Sequence, residues 1–133
     1  MDNCVFCKIA RGEIEDLRIW EDENYVAFLD INPFVVGHTL VIPKKHTRWI
    51  WEIGDTEYLD YMRAVKKIAE LLKKTFDTDC VQLIIAGMDV PHTHIHLLPR
   101  KENDGIASVP KIPLHPKPSN LELQKIREKI RDN

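Results

Sequence analysis

No apolar run in this sequence approaches the roughly 20 residues that a membrane-spanning helix needs, so no membrane partner is expected. The opening residues Met1-Asp2-Asn3-Cys4 carry neither the basic nor the apolar stretch of a secretory signal, which predicts a cytoplasmic location. An excess of charge of one sign is lacking as well. A net charge of −2 offers no general attraction to nucleic acid or to an acidic membrane surface. Cysteine is limited to three residues, and in a reducing compartment these are expected to be thiols or metal ligands rather than disulfides. No internal repeat or low-complexity tract is present. What is there is a chain of 133 residues, 44% hydrophobic and 30% charged, which is the make-up of one ordinary globular domain.

Hydrophobic periodicity and turn residues divide this chain into elements. Cys4 to Arg11 reads as a short helix stopped by Gly12. Leu17–Trp20, Tyr25–Leu29 and His38–Ile42 read as strands, with the Asn32-Pro33 turn before the third and Pro43 closing it. Asp55 to Phe76 is the long helix. Asp55 is its expected N-cap, and Tyr58, Met62, Val65, Ala69, Leu72 and Phe76 form its expected apolar stripe. Val81–Ile85 and the segment around His92 to Pro99 supply a fourth and a fifth strand. Residues 101–118 hold Pro110, Pro113, Pro116 and Pro118 with Gly105, a proline density that excludes regular structure. Ser119 and Glu122 form a capping box for a last helix, with Leu123, Ile126 and Ile130 as its narrow apolar stripe. The order predicts an α+β fold, an antiparallel sheet with the long helix on one face. Residues 1–100 are read as the domain core, 101–118 as an extended segment, and 119–133 as a helix packed on the same domain.

The chemistry is concentrated in Val90-Pro91-His92-Thr93-His94-Ile95-His96-Leu97. Alternation in a strand sends the three imidazoles to one face and Ile95 and Leu97 to the other. His92 to His96 then spans roughly 13 Å. Imidazole serves proton transfer, nucleophilic attack and metal binding near neutral pH. The spacing alone leaves open a coincidence, a catalytic metal centre, or a nucleophile flanked by groups that hold a charged substrate. Cys4-Val5-Phe6-Cys7 is a C-x-x-C pair that would make a tetrahedral zinc site with two histidines. No strand precedes it, which speaks against a thioredoxin-like redox pair. His46 matters only if the fold brings it to that pair. Cys80 is expected to be a small core residue.

These residues resemble the histidine triad (HIT) nucleotide-binding hydrolases. His92-Thr93-His94-Ile95-His96-Leu97-Leu98 is similar to the family signature. Cys4-Val5-Phe6-Cys7-Lys8-Ile9, Phe28-Leu29-Asp30-Ile31-Asn32-Pro33 and Gly37-His38-Thr39-Leu40-Val41-Ile42-Pro43-Lys44 resemble flanking family blocks, in family order. The resemblance implies five antiparallel strands with the long helix beside them. It also implies a homodimer in which long helices and an edge strand pair, with Trp49 and Trp51 as candidate interface aromatics.

It further implies roles. His94 is the expected nucleophile, attacking the α-phosphorus of a nucleoside phosphoramidate or dinucleoside polyphosphate to give a nucleotidyl-histidine that water then hydrolyses. His96 and His38 are expected to complete a phosphate-facing cluster. Cys4, Cys7, His46 and His92 match a structural zinc site, and the mechanism requires no magnesium. Asp30 matches the ribose-binding carboxylate, and Phe6, Ile9, Phe28, Leu29 and Ile31 match the apolar surround of a purine nucleotide or nucleotide conjugate. The segment Ala86-Gly87-Met88-Asp89-Val90-Pro91 departs from the family. It lacks the polar phosphate-contacting loop of many members and puts a carboxylate in its place. That departure keeps a nucleotide-binding regulatory module with little turnover as the alternative function.

Overall fold

Five strands form one sheet in the order β1-β2-β3-β5-β4, antiparallel throughout. The structure is a computed structural model and describes residues 3–15 and 17–133. The elements are α1 (Val5–Ala10), β1 (Arg18–Glu21), β2 (Tyr25–Leu29), β3 (Thr39–Pro43), α2 (Asp55–Thr75), β4 (Cys80–Ile84), β5 (Ile95–Arg100) and α3 (Asn120–Arg131). This is the α+β arrangement expected from the sequence, a five-stranded antiparallel sheet with one long helix and short terminal helices. Among the described residues, no helix is long and apolar enough to cross a membrane.

Alternation along the central strands builds a core on each face. Tyr25, Ala27, Leu29, Val41, Ile95 and Leu97 point to one side, where α2 and α3 cover them. Val26, Phe28, Leu40 and Ile42 point to the other, where Cys4, Phe6, Cys7 and Ile9 of the α1 region cover them. The residues between the histidines therefore enter the main core, and the histidines lie on the α1 side. Leu123 and Ile130 bury one face of α3 in the main core, with Ile126 packed beside them. Its capping box is formed as expected, with the Ser119 hydroxyl accepting from the Glu122 N–H at 3.1 Å and the Glu122 carboxylate accepting from the Ser119 N–H at 3.1 Å.

Three sequence expectations require correction. The deep stripe of α2 is Tyr61, Ala64, Val65, Ile68, Leu72 and Thr75, and Tyr58 is exposed. The apolar arc of this helix is wider than one stripe, and the sheet decides which edge is deepest. Tyr61 can be buried because its hydroxyl donates to the Val41 carbonyl at 2.6 Å, which satisfies its polar tip. The N-cap is Gly54 rather than Asp55, which sits in the first turn where its charge suits the helix dipole. Cys80 opens the edge strand β4 and is exposed.

The histidine strand is also shorter than alternation implies. The pairing of β3 with β5 ends at Val41↔Ile95, so His92 and His94 precede the regular ladder. Pro43 has no N–H to extend it. Its carbonyl instead accepts the His92 ring N–H, and Thr93 is held by its N–H and hydroxyl on the Thr47 carbonyl at 2.6 and 3.0 Å. His38 directly precedes β3. Gly37 before it has φ +88°, and a Cβ there would lie 2.5 Å from the Phe76 ring, so only glycine makes this turn without strain.

Candidate active site and metal centre

Two clusters of imidazoles lie end to end on the α1 face. In the first, the Cys4 sulfur is 3.4 Å from His92 Nδ1, and the Cys7 sulfur is 3.1 Å from His46 Nδ1 and 3.4 Å from His92 Nδ1. The two Nδ1 atoms are 3.2 Å apart. A tetrahedron with Zn–N of about 2.0–2.1 Å and Zn–S of about 2.3 Å has edges of about 3.3–3.8 Å, so these spacings fit one ion in the middle. His92 Nε2 lies 2.8 Å from the Pro43 carbonyl oxygen. A carbonyl only accepts, so Nε2 carries the proton and Nδ1 keeps its lone pair for a metal, as outer-shell partners of ligating histidines do. Burial, reinforced by the neighbouring Cys4 thiol, pushes the Cys7 thiol up to about 11. Burial likewise brings His92 down to about 4. The ring is thus neutral and ready to ligate. Cys4, Cys7, His46 and His92 are therefore brought together by the fold, all four ligand atoms lying within 4.8 Å of one another.

The second cluster joins His38, His94 and His96. The Phe34 N–H donates to His38 Nδ1 at 3.0 Å, which assigns the ring proton to Nε2. His38 Nε2 in turn lies 2.9 Å from His96 Nδ1, so His96 accepts there and carries its own proton on Nε2. His94 Nδ1 is 2.7 Å from the His92 carbonyl oxygen and must donate to it. Nε2 is then the remaining nitrogen; it faces Asp89 Oδ1 at 3.2 Å, where only an N–H can bond the carboxylate, and it holds the ring's lone pair when that proton is absent. The rings of His94 and His96 are 5.0 Å apart, and Phe6 packs edge-on against His94 at 5.1 Å.

Burial lowers His38 to about 4, against the raising effect of Asp30, whose Oδ2 is 3.7 Å from His38 Nε2. Burial also lowers His96, assisted by the charge of His94. For Asp89, partial burial works upward but is outweighed by His94, two backbone hydrogen bonds and His96, and the carboxyl ends below its usual value. His38 and His96 with Asp30, and His94 and His96 with Asp89, also approach within ligand distance. There, however, the first trio is threaded by a chain of N–H donors, not by converging lone pairs.

Beside the rings opens a cleft of about 440 Å³ lined by Phe6, Ile9, Phe28, Leu29, Asp30, Ile31 and His96, together with Asp89 and Val90. Every residue expected around the nucleotide thus shares one cavity. Asp30 is both a turn residue and a cleft residue. Its Oδ1 accepts from the Asn32 N–H at 2.8 Å, while Oδ2 is the oxygen nearer His38. Sequence reasoning missed Asn120, Gln124 and Arg127, which line the same cleft. The signal was a polar stripe at i, i+4 and i+7 beside the apolar one, which reads as a solvated face until α3 is docked. Trp49 and Trp51 stack at 5.2 Å, with Trp51 74% exposed and Trp49 against Gly87 of the short loop.

Comparison with known proteins finds a matching family and similar structures. Residues 11–103 match the HIT domain family. An uncharacterised HIT-like protein of Methanocaldococcus jannaschii is 46% identical over 107 residues, covering 77% of this chain and 82% of that protein. An adenosine 5'-monophosphoramidase of Schizosaccharomyces pombe is 32% identical over 132 residues, covering 97% of this chain and 99% of that one. A HIT-like protein from Bartonella henselae has a similar structure, with a TM-score of 0.82 at 34% identity over 99% of this chain and 97% of that one. A zinc-bound histidine triad family protein from Mycobacterium smegmatis has a TM-score of 0.80 at 33% identity over 98% and 92% of the two chains. By its sequence and its fold alike, this chain belongs to the HIT domain family.

Proposed function

We propose that this protein is a nucleotide hydrolase or transferase that cleaves at the α-phosphate of a nucleoside phosphoramidate or dinucleoside polyphosphate, with His94 as nucleophile. The observation that carries this reading is the 2.7 Å contact of His94 Nδ1 with the His92 carbonyl. It pins a proton on Nδ1 and turns Nε2 toward Asp89, a residue of the cleft lining, so that the neutral ring attacks with its Nε2 lone pair. Nε2 attacks phosphorus in line. The Nε2–P bond forms, the bond from phosphorus to the leaving nitrogen or oxygen breaks, and the leaving group takes a proton from His96 Nε2. Water then attacks the nucleotidyl-histidine and returns a proton to His96 Nε2, the Nε2–P bond breaks, and the nucleoside monophosphate departs. Splitting the displacement lowers each barrier, and positioned N–H groups stabilise the charge on phosphoryl oxygens. His38 holds His96 in the donor tautomer. Asp30 accepts hydrogen bonds from the ribose hydroxyls, and Phe6, Ile9, Phe28, Leu29 and Ile31 surround a purine. No magnesium enters these steps.

Cys4, Cys7, His46 and His92 would hold a structural zinc, which when bound neutralises the thiolates and ties α1 to the turn before β5. Its four protein ligands leave no open position for substrate. The zinc-bound neighbour from Mycobacterium smegmatis supports this assignment, and reduced thiols suit the cytoplasm. A homodimer is supported by the exposed Tyr58 and Leu59 on α2 and by Leu83 and Ile85 at the β4 edge, where strand hydrogen-bonding groups are free to pair.

The test is turnover of adenosine and guanosine phosphoramidates and of diadenosine polyphosphates by wild type and His94→Ala. Loss of roughly 1,000-fold or more is expected, and undiminished turnover by the variant would sink the nucleophile assignment. The contact of Asp89 with His94 Nε2 favours one second reading, a binding module with little turnover. Calorimetric binding of AMP or GMP with no hydrolysis of any of these substrates would select it.

A further inference from the structure

The C-terminal helix gives the cleft a wall that the phosphate chemistry does not use. Asn120, Gln124 and Arg127 share one stripe of α3 and all line the cavity. The adjoining stripe is buried in the main core, which fixes the helix in place.

Topology shows which end of the cleft this is. α3 packs on β1, the edge strand, and on α2. His96 lies on β5, three strands from β1 in the sheet. With strands spaced about 4.8 Å apart, that separation is roughly 14 Å. Asp30 follows β2, between the two. A nucleotide with its phosphate at His96 and its ribose at Asp30 therefore carries its base toward β1 and α3. There Arg127 is half-buried, and its Nε is shielded from solvent with no hydrogen-bond partner among the described residues. A guanidinium is donor-only, and a buried donor without an acceptor is unfavourable. The site lacks an acceptor that a ligand could bring.

We propose that Arg127 reads the edge of the base, so that the cleft prefers 6-oxopurine nucleotides to 6-aminopurine ones. The inference rests on the nucleotide reading above. Guanine and hypoxanthine offer O6 and N7, two adjacent acceptors that match the guanidinium fork. Adenine offers N7 beside an amino donor, which sets N–H against N–H. Asn120 and Gln124 each carry a donor and an acceptor and adapt to either base. Glu15, exposed on the same cleft, accepts from the N1–H of an oxopurine or the amino group of adenine alike. Discrimination therefore falls to Arg127. The helix that carries this contact lies beyond residues 11–103, the part that matches the family.

The experiment is calorimetric titration of the full-length, zinc-loaded protein with GMP, IMP and AMP. Wild type should bind GMP and IMP roughly tenfold more tightly than AMP. Arg127→Ala should remove that ratio by weakening the oxopurines, and Arg127→Gln should shift preference toward AMP, because a glutamine amide matches adenine N6 and N7. The second variant keeps a polar side chain in place should the alanine variant fold poorly. Equal affinity of wild type for the three nucleotides overturns the inference. So does an equal loss for all three in both variants, which marks a phosphate contact, or a preference unchanged in both. Those outcomes leave the nucleotide reading standing. Failure of all three nucleotides to bind wild type overturns both.

Discussion

The two imidazole clusters are built from the same residue type, share one stretch of chain and touch through Phe6, yet the protons are arranged oppositely. Around Cys4, Cys7, His46 and His92, the atoms that face one another are imidazole nitrogens and thiol sulfurs, and the outward Nε2–H of His92 is tied to Pro43. Converging lone pairs at 3.1–3.4 Å need a cation between them. Around His38 and His96, each contact pairs a donor with an acceptor in a chain that begins at the Phe34 N–H, and His94 donates from Nδ1 and turns Nε2 to the Asp89 carboxylate. The comparison teaches that a histidine's role is set by which nitrogen its second contact occupies. His92 and His94 are two residues apart and differ in just this, since one donates from Nε2 and the other from Nδ1.

The largest break in the comparison should come from exchanging variants between the clusters. Cys7→Ala is expected to lose bound zinc and to lower the melting midpoint by about 10 °C or more. His94→Ala should keep both while losing turnover. Metal analysis and thermal melts on the two proteins check this, and the reverse pattern would make the triad the metal site. Because Phe6 packs on both His92 and His94, Cys7→Ala should also slow turnover several-fold.

Next in size is a pH effect specific to the second cluster. His38 titrates near 6.5 when unfolded and is lowered to about 4 in the fold, first by burial. Below pH 6.5 the unfolded chain therefore binds a proton that the native protein refuses. The stability that His38 contributes is full above that pH and declines as pH falls toward about 4. Urea midpoints between pH 7 and pH 4 should fall less steeply in His38→Asn than in wild type. Parallel profiles would show that His38 is not the group responsible.

A smaller effect is expected at Asp89. Its carboxylate sits 3.2 Å from His94 Nε2, the atom proposed to meet a phosphoryl group, but it is largely exposed and therefore screened. Asp89→Asn should tighten nucleoside monophosphate binding by about threefold, as read by calorimetry. Weaker binding would instead make the carboxylate a positive element of the site. The smallest effect is at the capping box. Ser119→Ala should cost about 1 kcal/mol of stability in urea unfolding and leave the metal content and the His94 chemistry untouched.

Much of the site was legible in local patterns. Alternation separated the histidines from Ile95 and Leu97, and the C-x-x-C pair stood out by its spacing. Ser119 and Glu122 announced α3, and Asn32-Pro33 announced the turn after Asp30. The misreadings share a cause. The α2 stripe was shifted because Tyr58, Met62 and Ala69 are as apolar as Tyr61, Ala64 and Ile68, and only docking on the sheet ranks them. Cys80 was taken for core because its edge position is set by strand order. Arg127, Gln124 and Asn120 were passed over because a polar stripe looks the same whether it faces water or a cleft.

The sequence by itself determined the elements, the sheet's two-faced alternation and which side chains were available for proton, metal and phosphate chemistry. These follow from local rules of period two and 3.6 that the residues obey wherever they sit. Only the tertiary structure decided which nitrogen of each ring is free, that Cys4 meets His92 across 88 positions of chain, and that α3 closes the cleft. Those facts depend on hydrogen bonds and packing between residues distant in sequence, and no local pattern records them.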